Sequence, residues 1–224
     1  MNHNQSSMKV GTDAVVLGAY ADTQNCKQIL DIGTGSGIIS LLLAQRSQAL
    51  ITGIDIDPNS IAQAKENAIS SPWSKQLEFH NCALKEFGER KTNSFDLIVS
   101  NPPFFDNAYK APQEIRNNAR HTDTLSHEEL IRYSSKLMSD DGRLSIILPI
   151  EYQDILQQIG LTYGIFLNHI LTIKPKPSKV ANRVILEFEK KKSSLTTKEL
   201  INRNEDNSYH PSYKKLTRDF YLKF

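Results

Sequence analysis

The residues of this 224-residue chain most able to do chemistry together begin at Asn101-Pro102-Pro103-Phe104. Two consecutive prolines freeze the backbone, so the Asn101 carbonyl and the Pro102 backbone carbonyl become acceptors fixed in space. Two fixed acceptors hold the two hydrogens of a planar amine. In an amine conjugated to a ring or carbonyl the nitrogen lone pair is delocalised. Gripping both N–H bonds favours the pyramidal geometry from which that lone pair attacks an electrophile. Phe104 offers a face on which a planar base stacks. The plain alternative is a proline turn beside a core phenylalanine.

A second constellation is Asp31-Ile32-Gly33-Thr34-Gly35-Ser36-Gly37. Its glycines let a loop turn tightly and approach a ligand. A dinucleotide loop reads G-x-G-x-x-G. This one reads G-x-G-x-G with an acid before it, which suits a ligand with a cationic amino-acid end rather than a pyrophosphate. Asp55 stands 20 residues beyond Gly35, the distance at which an acid reaches a ribose diol. Ile56 and Pro58 are placed to line a purine edge. Together these segments resemble the S-adenosylmethionine site of the Rossmann-like methyltransferases. Asn101 to Phe104 resembles the fourth motif of amino-methyltransferases acting on adenine, guanine or glutamine amines. A sulfonium methyl donor needs no strong general base, because attack is an in-line displacement governed by orientation and proximity. Phe104 in place of tyrosine favours a nucleobase over a glutamine.

The elements that must position these residues alternate between short β-like runs and helical segments, the pattern of a parallel α/β sheet. Strands are expected at 28–31, 50–55, 76–81, 95–100 and 142–149, then an antiparallel pair at 167–173 and 184–189. Helices are expected at 13–21, 37–46 and from Pro58 to about Ser70. Another follows a capping box made by Ser126 and Glu129 and runs to Leu137. The expected fold is a single Rossmann-like α/β domain over 1–224, with a mostly parallel seven-stranded sheet, an antiparallel last strand and helices on both faces. Residues 1–22 form its cofactor-closing segment and 190–224 a basic and aromatic tail. Lys190 to Asn207 reads as polar and mobile, and Tyr209 to Phe224 as a stretch able to dock back.

A closer resemblance is carried by Met8-Lys9-Val10-Gly11-Thr12-Asp13, Leu17-Gly18-Ala19-Tyr20, Ala119-Arg120-His121 and Asp219-Phe220-Tyr221-Leu222-Lys223-Phe224. In that order, around the two motifs, they look like the bacterial valine-tRNA adenine-N6 methyltransferase family, which modifies the adenine just 3′ of the anticodon, position 37. By this resemblance Asn101, Pro102, Pro103 and Phe104 grip the target adenine. Asp31, Gly33, Thr34, Gly35, Gly37, Asp55 and Ile56 hold S-adenosylmethionine, and Lys9, Gly11 and Thr12 close over its methionine end. Family members often place an acid after the third strand, near the cofactor adenine amine. Here the stretch reads Asn81-Cys82-Ala83-Leu84, which passes that contact to Asn81 or to a backbone group. The lead-in before Met8 is also shorter than the family pattern.

Charge sharpens the substrate expectation. The net charge is only +2. Residues 1–167 carry 14 Lys/Arg against 19 Asp/Glu, whereas residues 168–224 carry 13 against 6. That asymmetry points to a polyanion. Lys174, Lys176, Lys179 and Arg183, interrupted by prolines, form a basic loop able to reach a tRNA backbone, with Arg120 and His121 as further candidates. The Lys190-Lys191-Lys192 run is less decided. Two cysteines, Cys26 and Cys82, match neither a disulfide framework nor a metal motif. No apolar run approaches the roughly 20 residues that span a bilayer, and the polar start lacks a secretory core. A cytoplasmic protein without metal, favoured as a monomer, is expected. Amino-methyltransferases of ribosomal RNA guanine or of a protein glutamine remain alternatives, as does a non-catalytic RNA-binding module.

Overall fold

The computed structural model describes residues 11–102 and 125–221. Chain order over these residues is α1 (Thr12–Tyr20), β1 (Gln28–Ile32), α2 (Ile38–Arg46), β2 (Leu50–Asp55), α3 (Pro58–Ile69), β3 (Leu77–Asn81), α4 (Leu84–Arg90) and β4 (Phe95–Ser100). Then come α5 (His127–Leu137), β5 (Met138–Pro149), α6 (Gln153–Thr162), β6 (Phe166–Lys174), β7 (Arg183–Glu189), β8 (Thr196–Ile201) and α7 (Pro211–Thr217). The strands form one sheet in the order β3-β2-β1-β4-β5-β7-β6-β8. All neighbours are parallel except β7, which runs against both β5 and β6.

Strands sandwiched between helices read as nearly continuous apolar runs, because both faces are buried. Along β1, Leu30 and Ile32 enter one core cluster while Ile29 enters the other. Along β7, Val184, Leu186 and Phe188 face one layer and Ile185 the opposite one. Caps fix where helices begin. The Asp57 carboxylate accepts from the Asn59 and Ser60 amides just before Pro58 opens α3. Ser126 and Glu129 close their capping box reciprocally at the start of α5.

The α/β fold, the parallel core and the antiparallel pair are as expected. The sheet, however, has eight strands. Residues 196–201, inside the stretch expected to be mobile, all pair in parallel with β6, from His169 to Lys174, so β8 is the last strand and the antiparallel one is β7. Only Leu200 of β8 is buried, which leaves its composition as polar as a loop's. The aromatic tail docks back over its described residues, up to Tyr221. Tyr213 on α7 is 1% exposed and sits in the same cluster as Val16 and Leu17 of α1.

The strand order reverses between β1 and β4, which is where open α/β sheets bind ligands, outside the carboxyl ends of the strands. Ile32 and Ser100 are register partners at these two ends. The buried Ser100 hydroxyl donates to the Ile32 carbonyl at 2.9 Å and fastens one end to the other.

Candidate active site

Three glycines of the loop after β1 take left-handed backbone conformations, with φ of +69° at Gly33, +54° at Gly35 and +80° at Gly37. Side chains rarely adopt this region. Among the described residues, a Cβ at Gly33 or Gly35 would nevertheless meet nothing within 4 Å. As far as the described residues go, the space beside these two is open, as a ligand cradle requires. Gly37 is different: a Cβ there would lie 3.1 Å from the Phe79 ring and 3.2 Å from Ala64, so this glycine also seats the loop on α3 and β3.

Asp31 lies wholly buried beneath the loop. Its Oδ2 accepts from the Thr34 hydroxyl at 2.7 Å, the Ser40 hydroxyl at 2.7 Å and the Ser40 amide at 3.2 Å. Its Oδ1 has no partner among the described residues. Burial pushes the carboxyl up to about 6, against the pull of the Ser40 and Thr34 hydrogen bonds. A buried carboxylate oxygen with nothing to accept is a costly arrangement for a merely structural residue. A cationic group supplied from outside would relieve it.

Asp55 ends β2 beside this loop. One carboxylate oxygen accepts from the Gly35 amide and the other from the Asp57 amide, both at 2.9 Å. Its position is held from behind by Asn81, whose amide nitrogen donates to the Asp55 carbonyl at 3.0 Å and to the Ile56 carbonyl at 2.9 Å. Those bonds engage both amide hydrogens, so Asn81 retains an acceptor oxygen for any adenine amine. Ile56 is 54% exposed, an apolar face presented next to the acid. These groups fit the two ends of S-adenosylmethionine: an unmatched buried anion for a cation, and an acid with an exposed aliphatic neighbour for a nucleoside.

Asn101 follows β4 directly, half-buried, with Pro102 buried behind it. Because Ser100 pairs with Ile32, Asn101 and Gly33 leave neighbouring strand ends, about 4.8 Å apart in the sheet's pairing direction. Asn101 and the glycine loop are therefore side by side. Pro103, Phe104, Lys9, Arg120 and His121 lie outside the described residues. Gly11 and Thr12 open α1. The next residue, Asp13, binds the Arg183 guanidinium at 2.9 Å, where β7 begins at this same sheet edge.

The cations expected to meet RNA divide. Arg183 is turned to Asp13, and Lys174 pairs with Glu199 at 2.9 Å. The Lys176 ammonium donates to the Glu205 carbonyl, tying the β6–β7 loop to the loop after β8. Lys179 is exposed on that loop. Lys190 and Lys191 pair with Asp140 and Asp141, at the sheet edge opposite the glycine loop. Ser40 and Ser100 went unseen as site residues in the sequence, since each acts through contacts that exist only once the strand order is set; Asn81 was expected near the cofactor, but not its grip on the Asp55 and Ile56 carbonyls. The His127 ring, which burial makes harder to protonate, meets Tyr152 edge-on at 4.8 Å beside the carboxyl end of β5. Among the described residues no cluster of metal-ligating side chains occurs, and no helix is long and apolar enough to cross a membrane.

Comparison with known proteins places this geometry. A family model described as a methyltransferase domain matches residues 23–160. A tRNA1(Val) (adenine(37)-N6)-methyltransferase of Trichodesmium erythraeum is 40% identical, covering 100% of this chain and 95% of that protein. One of the same name from Parabacteroides distasonis is also 40% identical, over 99% of this chain and 94% of that one. Among solved structures, a predicted O-methyltransferase from Agrobacterium tumefaciens superimposes with a TM-score of 0.69 at 20% identity, over 92% of this chain and 95% of that one. A ribosomal protein L11 methylase from Lactobacillus delbrueckii gives 0.57 at 17% identity, over 86% and 81%. At these identities the solved structures speak for the fold alone.

Proposed function

The chain belongs to the tRNA1(Val) (adenine(37)-N6)-methyltransferase family, and from that premise we propose that it methylates the exocyclic N6 amine of adenine 37 in a valine tRNA. S-adenosylmethionine supplies the methyl group on an electrophilic sulfonium. Asp31 accepts the cationic end of that molecule through Oδ1, the atom left without a partner. Asp55, held by Gly35 and Asp57, accepts the ribose hydroxyls, and Ile56 covers the purine. Gly33, Thr34 and Gly35 shape the cradle between them, with Gly37 seating it, while Lys9, Gly11 and Thr12 close the methionine end.

Asn101 and Pro102 hold the two amine hydrogens of an adenine flipped out of its loop, and Phe104 stacks on its ring. Held so, the nitrogen lone pair would be freed to attack the methyl group that S-adenosylmethionine would supply, and the rate would come from placement. The observation that carries this reading is the fastening of β1 to β4 by Ser100, which sets the amine grip beside the cradle. One chain provides both, so a single domain acting as a monomer in the cytoplasm is sufficient.

Incubation with S-adenosylmethionine and unmodified total tRNA, followed by nucleoside mass spectrometry of isolated valine tRNA, tests the proposal. N6-methyladenosine is expected there. Its absence, or a methylated guanine in its place, would reject the reading.

A further inference from the structure

The loop after β8 carries a feature that neither the cofactor cradle nor the amine grip uses. The Arg203 guanidinium sits over the Tyr209 ring, 4.3 Å from its centroid. Tyr209 in turn stacks on Tyr213, with ring centres 5.1 Å apart and planes 9° from parallel. Tyr213 is buried in the core and shares a hydrogen bond with the Tyr221 hydroxyl. The arginine is held at both ends. Its Nη1 donates to the Asn207 carbonyl at 2.6 Å, and its amide donates to the Pro175 carbonyl at 3.1 Å. No carboxylate pairs with it among the described residues, and it is exposed. A planar, solvent-exposed cation is thus mounted on a stack of two rings.

Its place in the fold gives the column meaning. β8 runs parallel to β6, and β6 runs in the same sense as β4, so the end of β8 lies on the sheet edge that carries Asn101. Four strand spacings separate β4 from β8, about 19 Å in the pairing direction. At about 3.4 Å per stacked nucleotide, that distance corresponds to five or six bases of one strand. The local charge is mixed. Glu205 accepts from the Ser178 amide, Asp206 accepts from Ser208, and Lys176 and Lys179 stand opposite. Acids so close to the arginine disfavour a phosphate there. They do not disfavour a neutral base, whose π-face stacks on a guanidinium plane.

We propose that Arg203, backed by Tyr209 and Tyr213, is a stacking platform for an unpaired base of the RNA whose adenine enters the Asn101 site. The inference rests on the tRNA reading above and names where the rest of the anticodon loop is held.

Arg203→Lys keeps the charge and loses the plane, and Arg203→Gln loses both. Binding of an RNA hairpin made of the anticodon stem and its unpaired loop is measured by fluorescence anisotropy. The same stem closed as a blunt duplex is the control. Both variants are expected to bind the hairpin about tenfold more weakly, with duplex binding, S-adenosylmethionine affinity and melting temperature unchanged. With methylatable tRNA the same change appears in KM and not in kcat. Wild-type affinity in Arg203→Lys would overturn the platform, since a point charge would then suffice. A lowered melting temperature with intact hairpin binding would also overturn it, reducing the column to a staple for the tail. Wild-type protein that binds the hairpin but methylates no adenine would reject the functional reading instead, leaving the platform to be judged by binding alone.

Discussion

Each half of the sheet buries a carboxylate, and the two are provided for differently. Glu187 lies in the middle of β7, 8% exposed, with Ser145 and His169 as its cross-strand partners. Burial raises its carboxyl, and His169, the Ser145 hydroxyl and Arg143 oppose that shift. The Tyr20 hydroxyl nearby is pushed up to about 12, first by its own burial and then by the Glu187 charge. Everything that balances Glu187 is internal. Asp31, fully buried at the carboxyl end of β1, has, among the described residues, three hydrogen bonds crowded onto one oxygen and none on the other. Burial alone therefore does not mark a functional acid. What singles out Asp31 is an internal balance left incomplete among the described residues.

The sharpest way to break this contrast is at the grip. Asn101→Ala is expected to lower kcat by at least about 10²-fold, the scale of a misplacement of about 1 Å, with S-adenosylmethionine affinity unchanged by calorimetry. Retained turnover would remove Asn101 from the reaction.

The next test sets the two acids against each other. Asp31→Asn is expected to weaken S-adenosylmethionine binding by about tenfold or more, as loss of a buried charge partner does. Glu187→Gln is expected to leave it intact. The pH dependence separates them further. Asp31 moves from 3.8 to about 6 on folding, so the folded protein binds that proton more tightly. The stability it contributes is complete below about pH 3.8 and is lost as pH rises through 6. The total is on the order of 3 kcal/mol. A cationic ligand favours the ionised form, so affinity should rise as pH increases from 5 to 7. Proton release on binding near pH 6 should be visible in buffers of different ionisation enthalpy. Asp31→Asn should flatten both trends. An unchanged pH profile in that variant would mean that Asp31 is as self-contained as Glu187.

Much of this was legible in the sequence where both faces of an element are buried. β2 and β4 begin and end where the apolar runs of 50–55 and 95–100 do, because a strand packed on both sides has no polar alternation to blur its ends. The capping box and Pro58 marked two helix starts for local reasons. β8 was not legible, since an edge strand with one buried residue has no hydrophobic period to display. The seven-residue α4 was too short to show one. Within the candidate site, residue types pointed to Asp31, Asp55 and Asn101. The bonds that place them join residues far apart in sequence: Ser100 to Ile32 across 68 positions and Arg183 to Asp13 across 170. Such pairs follow from strand order, which no local pattern encodes. The same limit explains the basic segment, whose lysines point to one partner by composition and are divided between two sheet edges by topology.

The smallest expected effect falls on Asn81, which shows how an acid balanced from behind differs from one left open. Asn81 grips the carbonyls of Asp55 and Ile56, and the Asp55 carboxylate in turn holds Gly35. Asn81→Ala removes two hydrogen bonds at the exposed end of β3, so S-adenosylmethionine affinity should fall only about fivefold, with kcat at saturation preserved. If Asn81 works by aiming Asp55, the loss must vanish in an Asp55→Ala background, because the positioned group is gone. The double variant should then bind no more weakly than Asp55→Ala alone, an interaction of the kind a double-mutant cycle isolates. Additive losses would instead mean that Asn81 meets the ligand directly through its acceptor oxygen. Asn81→Asp separates the two roles, since it retains the acceptor and loses both donors. Under the positioning account it should bind as poorly as Asn81→Ala, because two carbonyls would then face a carboxylate with nothing to share.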